Sequence, residues 1–291
     1  MKKINFAFWG TPDVASRTLE ILKVSGYLPS LIITSPDKPA GRGLKMTPTP
    51  VSIWAEENNI PCLKPEKITP EFIKNLSLSP VGPVINLNFD LYIVVAYGKI
   101  LPETLINIPE LGTINIHYSL LPKWRGASPL ETALLNGDII TGVSIQQMAY
   151  KLDSGPILTE KEISIDEKIS KEELRNKLIG MGGELLCEIL AKIKNKSIIP
   201  KIQDESKATY CSKINKNDGE LDIINGNQKD NYNKYRAFYG WPGTYFFTTK
   251  NDKKIRIKIK DASYEDGKFI IKKVTPEGKK EISYEDFLRQ N

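Results

Sequence analysis

The first 34 residues constrain the fold most strongly. An apolar run, Ile4 to Trp9, leads into GTPD (10–13), then into a stripe at helical spacing that includes Leu19 and Leu22, and then into a second apolar run, Leu31 to Thr34. Two short apolar runs separated by one helix are typical of parallel strands joined by a right-handed crossover. The sequence therefore predicts an α/β protein with a Rossmann-like, open and mostly parallel sheet. GTPD does not match GxGxxG, so the dinucleotide fingerprint is absent.

The same spacing continues to about residue 194. Thr11 is expected to cap the first helix, with Pro12 in its first position and Gly26 at its end. Ser170 and Glu173 form a capping box that opens a helix reaching about Lys194. The other predicted elements are helices at 51–58 and 128–136 and strands at 91–96, 113–117 and 142–148, with an irregular insertion at 76–90.

A Pro/Gly-rich stretch, Ser35 to Pro50, interrupts this pattern. It holds four prolines and two glycines in 16 residues, which predicts a long loop without regular structure. Its cations, Lys38, Arg42 and Lys45, could contact phosphates. A solvated surface loop fits the same composition.

The single histidine of the chain, His117, ends a predicted strand. Asn115 lies two residues earlier, so both side chains point to one face. A polar, basic and Gly/Pro-containing segment follows, and open α/β sheets place their sites at such strand ends. Asp153 lies farther on, in an LDSG turn. A structural histidine beside a turn, and a carboxylate that only forms a turn, remain alternatives at this point.

Beyond a polar segment the pattern changes to short strands, predicted at 245–249, 255–259 and 269–274, with a turn at 264–267. We therefore predict a catalytic domain at 1–198, a linker at 199–207, and a small C-terminal β-barrel, OB-like domain at 208–291. In KKIRIKIK (253–260) three isoleucines share one face, and the cations Lys254, Arg256, Lys258 and Lys260 share the other.

The net charge of +6 is uneven along the chain. Residues 207–291 carry 18 Lys and Arg against 12 Asp and Glu, whereas residues 1–206 carry 23 of each. This asymmetry favours an anionic partner for the C-terminal part. A lysine-rich solvated surface is the alternative.

Composition narrows the class further. The chain is 40% hydrophobic and 26% charged, as in globular proteins, and has no apolar run of 18 residues, so no membrane span is expected. The start, MKKINFAFWG, makes a poor signal peptide, so a cytoplasmic location is expected. Three distant cysteines and one histidine make a disulfide framework or a metal site unexpected.

Motifs along nearly the whole chain resemble the 10-formyltetrahydrofolate-dependent formyltransferases. In the first part they are GTPD (10–13), SPDKPAGRG (35–43), VAYGKILP (95–102), NIHYSLLPKWRGASP (115–129), GVSIQQM (142–148) and LDSGPIL (152–158). In the second part TYCSKINKNDGELD (209–222), RAFYGWPGTYF (236–246) and GKKEISYEDFL (278–288) resemble the members that act on tRNA. The 264–279 region is shorter than in that pattern, and the 76–90 region is longer.

The resemblance implies a formyl transfer from 10-formyltetrahydrofolate to the amino group of methionyl-initiator tRNA, by a monomer that needs no metal. It implies Asn115 as an amide donor to the developing oxyanion. His117 would hydrogen-bond that oxygen or move protons, and Asp153 would orient the imidazole and accept the amine proton through water.

The resemblance also implies binding residues. The folate would contact Lys99, Ile100, Leu101, Ser119, Leu120, Leu121, Pro122 and Leu152, with a cis Leu121–Pro122 bond. The tRNA would contact Lys38, Arg42, Lys45, Lys254, Arg256, Lys258 and Lys260, with Arg42 as the chief specificity residue.

Two other functions are weighed. A sugar-nucleotide N-formyltransferase would share the Asn-His-Asp set but would not need the PAGRG loop or the basic C-terminal part. An RNA-binding protein on a decayed enzyme fold would not need Asn115, His117 and Asp153 to be intact.

Overall fold

The computed structural model describes residues 4–41, 43–78, 88–250 and 252–289. These residues divide into two compact units. Unit 1 comprises 1–125, 142–162 and 176–209, and unit 2 comprises 126–141, 163–175 and 210–291. The predicted boundary at 198–208 stays a prediction.

Fifteen strands occur within the described residues. They are β1 (Phe6–Gly10), β2 (Leu31–Ile33), β3 (Lys38–Ala40), β4 (Lys45–Thr47), β5 (Cys62–Leu63), β6 (Leu91–Val95), β7 (Thr113–His117), β8 (Arg125–Gly126), β9 (Ile140–Gln147), β10 (Ile157–Ser164), β11 (Tyr210–Cys211), β12 (Tyr245–Lys250), β13 (Lys253–Glu265), β14 (Lys268–Pro276) and β15 (Ile282–Ser283).

Eight α-helices accompany these strands in the same part of the chain. They are α1 (Asp13–Val24), α2 (Pro50–Glu57), α3 (Pro70–Leu78), α4 (Glu103–Ile106), α5 (Pro129–Leu135), α6 (Lys171–Lys194), α7 (Gln228–Phe238) and α8 (Tyr284–Arg289). None of the described helices is both long and apolar enough to cross a membrane.

The main sheet has seven strands in the order β10-β9-β7-β6-β1-β2-β5. The pairs β5–β2, β2–β1, β1–β6 and β6–β7 are parallel, and β7–β9 is antiparallel. This confirms the predicted open, mostly parallel sheet. The β1 and β6 side chains are buried because helices cover both faces of such sheets. On α6, Gly182 lies over Ile116 and Val143, so this part of the helix packs on the sheet.

The core of unit 1 beside β1 and β6 is aromatic. The rings of Trp9 and Tyr97 meet edge-on with centroids 5.3 Å apart, and the tilted ring of Tyr92 has its centroid 5.6 Å from that of Trp9. Such pairs add about 0.5–1.5 kcal/mol each beyond the area they bury. This core fixes the end of β6, and thereby the loop that follows it.

Two predictions near the N-terminus are wrong: Thr11 does not cap α1, and Pro12 is not the first residue of that helix. Pro12 holds the cap position, and no side-chain cap forms there. Instead the Thr11 hydroxyl donates to Tyr97 O at 3.1 Å and bonds Ser35 Oγ at 3.1 Å. Thr11 therefore ties together the segments that follow β1, β2 and β6.

The stretch at 35–50 is not a continuous loop. β3 pairs antiparallel with β4, and Pro39 lies opposite Met46. A proline is tolerated because both strands of an isolated ribbon are edges. Gly41 (φ +71°) and Leu44 (φ +47°) turn the chain. Arg42 lies outside the described residues.

The insertion predicted at 76–90 begins later than expected. Leu76 lies within the last turns of α3, and residues 79–87 fall outside the described part of the chain. The turn predicted at 264–267 is also shorter, since β13 runs to Glu265 and only Asp266 and Gly267 turn. Their positive φ values fit the tight Asp-Gly hairpin.

The predicted C-terminal β domain is confirmed as a four-stranded antiparallel sheet, β12-β13-β14-β15, in unit 2. Its inner face buries Phe246, Ile257, Ile259 and Val274 with Phe287. Each such side chain contributes about 1.5–3 kcal/mol by burial. The isoleucine face of KKIRIKIK therefore lies inside, as predicted.

Candidate active site

A polar face on β7 and β9 is the centre of the site. Asn115 lies opposite Gln146, and His117 lies opposite Ser144. Directly opposed residues share a face of the sheet. Ser144 is fully buried, Gln146 and His117 nearly so, and Asn115 is half-buried. Four polar side chains in a buried row require polar partners, since burying them unpaired is costly.

His117 lies between two protein groups. Its Nε2 is 2.8 Å from Trp124 O, and its Nδ1 is 3.6 Å from Asp153 Oδ2. A carbonyl only accepts, so the Nε2–H donates to it and Nε2 carries a proton. Nδ1 then faces the Asp153 carboxylate, which is 13% exposed. The pair can hold or move one proton along this line.

Asp153 is held in an unusual backbone conformation. Its φ is +48°, a region that non-glycine residues adopt infrequently. Gln146 Nε2 donates to its Oδ1 at 3.0 Å, and Gln203 Nε2 donates to its backbone O at 2.9 Å and to Gly155 O at 2.6 Å. Two glutamines therefore fix both the carboxylate and the turn that carries it.

Arg125 anchors the second of these glutamines. It is fully buried and donates to Gln203 Oε1 from Nε (3.1 Å) and from Nη2 (2.7 Å). Nη2 also donates to Glu205 Oε1 at 2.6 Å, and Lys151 Nζ donates to the other Glu205 oxygen. The hydrogen bonds from Arg125 and then from Lys151 lower the pKa of Glu205 to about 2.

The SLLP turn is fastened to β9 next to this network. Ser144 Oγ donates to Ser119 O at 2.8 Å and accepts from Leu121 N at 3.0 Å, while Ser119 Oγ donates to Lys123 O. The Leu121–Pro122 bond is cis, as expected. Ser119 and Leu121 are buried, whereas Leu120 and Pro122 are half-buried.

The two other segments predicted for folate are partly exposed. After β6, Leu101 is buried, but Ile100 is 86% exposed; Leu152, in the loop after β9, is 61% exposed. Lys99 Nζ donates to Pro65 O and Glu66 O. Burial and then the charge of Lys38 lower the pKa of Lys99, while Glu66 opposes them. Exposed apolar side chains on both loops suit a flat, apolar ligand.

The described cations predicted for tRNA lie on the β3–β4 ribbon and on β13. Lys38 and Lys45 are exposed on β3 and β4, and Arg42 lies outside the described residues. Lys254, Arg256, Lys258 and Lys260 are all exposed on β13. Two of them lie over aromatic rings of β12. Lys254 Nζ is 4.0 Å from the Phe247 centroid, and the Arg256 guanidinium carbon is 5.4 Å from that of Tyr245.

Sequence reasoning missed Ser144, Gln146, Arg125 and Gln203. A signal for the first two exists, because they alternate with the apolar Val143 and Ile145 along a strand. Gln203 has no such signal. It lies in the segment predicted as a linker, where Lys201 exchanges backbone hydrogen bonds with Ile157 at 2.8 Å.

The open α/β sheet and the Asn-x-His strand end facing a carboxylate agree with the group-transfer enzymes of the formyltransferase class that the sequence motifs resemble. The formyl transferase family matches residues 2–190, and the formyl transferase C-terminal domain matches residues 213–270. The first match covers more than half of the chain, which therefore belongs to the formyl transferase family.

Within the family, two similar curated proteins are methionyl-tRNA formyltransferases. The methionyl-tRNA formyltransferase of Sulfurihydrogenibium sp. strain YO3AOP1 is 43% identical over 238 residues, covering 82% of this chain and 74% of its own. That of Methylococcus capsulatus is 36% identical over 310 aligned positions, covering 98% of this chain and 96% of its own.

Solved structures agree on the fold. WlaRD, a sugar 3N-formyl transferase, superposes with a TM-score of 0.64 at 19% identity, covering 96% of this chain and 100% of its own. The methionyl-tRNA formyltransferase of Clostridium thermocellum gives 0.60 at 15% identity, covering 96% and 99%. At these identities the likeness concerns the fold alone.

Proposed function

We propose that this chain transfers the formyl group of 10-formyltetrahydrofolate to the amino group of methionyl-initiator tRNA, as a cytoplasmic monomer without a metal. One observation carries the proposal. A methionyl-tRNA formyltransferase is 36% identical across 98% of the chain, so the relationship includes the C-terminal part as well as the site. The buried contact between His117 and Asp153 supports it.

The reaction exchanges one carbon–nitrogen bond for another. The amine nitrogen attacks the formyl carbon, and the bond from that carbon to folate N10 breaks. One proton leaves the amine nitrogen and one reaches N10. Negative charge develops on the formyl oxygen between these events, so the site must supply a donor to that oxygen and a path for one proton.

Asn115 is the proposed donor. It is half-buried beside His117 on the polar face, and its amide can donate one N–H to the oxyanion. A single donor of this kind contributes about 3 kcal/mol to the transition state. Both ring nitrogens of His117 face protein groups, so a direct bond from His117 to the oxyanion would displace one of them.

Asp153 and His117 are the proposed proton path. Asp153 accepts the amine proton through water and can share it with His117 Nδ1, which faces the carboxylate at 3.6 Å. General acid–base help of this kind is worth about 10²- to 10⁴-fold. The two glutamines that hold Asp153 keep it in place without taking part in the proton transfer.

Folate is proposed to lie against the fastened SLLP turn (119–122), the 99–101 segment and Leu152. The tRNA is proposed to contact the 38–45 ribbon, including Arg42, and the β13 cations. Four cations on one exposed strand face provide the salt-sensitive phosphate contacts that RNA binding needs.

Formylation of the isolated substrate tests the proposal. The protein is incubated with 10-formyltetrahydrofolate and methionyl-initiator tRNA, and the formylated amino group is measured against elongator methionyl-tRNA as a control. We expect product with the initiator and little with the elongator. Product with an amino-sugar nucleotide, and none with either tRNA, would establish the sugar-nucleotide alternative instead.

A further inference from the structure

A cavity of about 440 Å³ opens on unit 2, beside the β13 cations. Its wall includes Tyr239 and Trp241, which are 51% and 53% exposed. Pockets of this size hold small ligands, and large exposed rings at a cavity mouth are a signature of binding. Gly240 (φ +82°) and Gly243 (φ +79°) bend the chain around Trp241.

A buried hydroxyl in the wall has no hydrogen-bond partner among the described residues. Thr244 is 3% exposed and lines the cavity, and its Oγ1 is unsatisfied. An unpaired buried hydroxyl costs about 1–3 kcal/mol, so native proteins rarely keep one unless something else satisfies it. Thr244 therefore carries an unused hydroxyl in the cavity wall.

The charge of the cavity is entirely positive. Lys216, Arg256, Lys258 and Lys260 line it, and the described lining includes neither Asp nor Glu. Arg256 and Lys258 also line a neighbouring depression of about 180 Å³, together with Lys279 and Glu277. Three cations outweigh the one carboxylate there, so two adjoining depressions of net positive charge share a pair of cations and suit consecutive phosphates.

We propose that this cavity takes one unstacked nucleotide of an RNA strand. The base stacks on Trp241, a polar group of the nucleotide meets the Thr244 hydroxyl, and Arg256, Lys258 and Lys260 hold the phosphates. Aromatic rings beside a cationic groove are the common means of binding single-stranded RNA. The inference rests on the proposed function for the presence of an RNA substrate, and adds where one of its nucleotides binds.

Binding to a short RNA tests the site directly in the full chain. The probe is a fluorescein-labelled single-stranded ribohexamer, followed by anisotropy. Trp241→Ala should weaken binding about 5- to 150-fold, because the stacking of one base on one ring contributes a factor of that size. Thr244→Val should weaken it less, and Thr248→Val, on β12 outside the cavity lining, should not change it. Trp241→Phe keeps a ring and should retain most of the affinity.

Competition experiments distinguish an RNA strand from a free nucleotide and from inorganic phosphate as the occupant of the cavity. AMP should displace the hexamer weakly, and inorganic phosphate at equal ionic strength should not. Displacement by phosphate as effective as that by AMP would overturn the base contact. AMP affinity equal to that of the hexamer would overturn the assignment to RNA. Unchanged hexamer binding by Trp241→Ala would overturn the site.

Steady-state formylation separates this inference from the proposed function. Trp241→Ala should raise KM for methionyl-tRNA and leave kcat near the wild-type value. A wild-type protein that does not formylate tRNA contradicts the proposed function. A wild-type protein that formylates, with an unchanged KM in Trp241→Ala, contradicts only the nucleotide site.

Discussion

At the scale of single residues, the environment of His117 decides its chemistry. A buried histidine beside a turn is by itself compatible with a structural role. Here its Nε2–H donates to Trp124 O, and its Nδ1 faces the carboxylate of Asp153. Replacing either partner therefore changes the charge and orientation of the ring, and not only its packing.

The first prediction concerns this pair. His117→Ala and Asp153→Asn should each lower kcat for formylation at least 100-fold, because each interrupts the proposed proton path. Steady-state kinetics with methionyl-initiator tRNA measures this, and tRNA affinity should stay within two-fold, on the order expected for distant changes. Asp252→Asn, at an exposed turn, is the control. Near-normal kcat in either site variant would remove that residue from the mechanism.

The second prediction separates positioning from catalysis. Gln146→Leu removes the donor to Asp153 Oδ1 and should lower kcat up to about 100-fold, since small misplacement of a reacting group is costly. KM for tRNA should not change. Gln147→Leu, the exposed neighbour on the opposite face of β9, is the matched control. Equal effects of the two substitutions would show that the loss is not due to the contact with Asp153.

The third prediction concerns the stability of the fold at low pH. Because its pKa is lowered from 4.5 to about 2, Glu205 stabilises the folded state above pH 4.5, and this contribution is lost as the pH falls towards 2. Glu205→Gln should therefore show a smaller decrease in Tm than the wild type between pH 5 and pH 3, a range set by these values. Thermal unfolding followed by circular dichroism measures the difference. Parallel Tm curves for the two proteins would contradict it.

At the scale of elements, periodicity predicted most of the fold. The Ile255-Ile257-Ile259 alternation gave the buried face of β13, and the apolar runs gave β1, β6 and β7 within one or two residues. Tertiary contacts account for the failures. Pro39 predicted a break in regular structure, but a two-stranded ribbon tolerates a proline. Thr11 was predicted to cap α1, but its hydroxyl donates to Tyr97 O instead.

The candidate active site was predictable only in part, for the same reason. Asn115 and His117 lie two residues apart on one strand, so the sequence alone predicted that their side chains share a face. Gln203 acts from 50 residues beyond Asp153, and no local pattern connects the two. Arg125 was visible as a cation next to a turn, but its complete burial follows from acceptors supplied by residues 203 and 205.

The fourth prediction concerns the exposed face of β13. Lys258→Ala with Lys260→Ala should weaken tRNA binding and lower the slope of log K against log salt by about two units, one for each phosphate contact. Filter binding at several salt concentrations measures it. Lys272→Ala with Lys273→Ala removes the same charge from β14, where both side chains pair with glutamates, and should leave the slope unchanged. Equal salt slopes for the two double variants would show that the β13 cations face solvent and do not contact phosphates.

At the scale of the whole molecule, the net positive charge is divided differently between the two compact units than along the chain. Unit 2 includes 126–141 and 163–175, which are acidic, so it holds 20 Lys and Arg against 18 Asp and Glu. Unit 1 holds 21 against 17. The excess seen along the chain beyond residue 207 is therefore not a property of a whole unit. Any attraction for RNA must come from local placement, such as the β13 face.

The last prediction follows from the same division. A fragment of residues 208–291 lacks α5, which packs against α7 in unit 2 and buries its own Leu130, Ala133 and Leu134. It also lacks the Asp166 and Glu167 carbonyls that accept from Arg236. Exposing that apolar surface and removing the acceptors of Arg236 Nη1 should make the fragment unfold at lower urea concentration than the full chain. A peptide of residues 126–141 should restore part of the stability, and a scrambled peptide should not. A fragment as stable as the full chain, and indifferent to the peptide, would place the domain boundary at the linker predicted from the sequence.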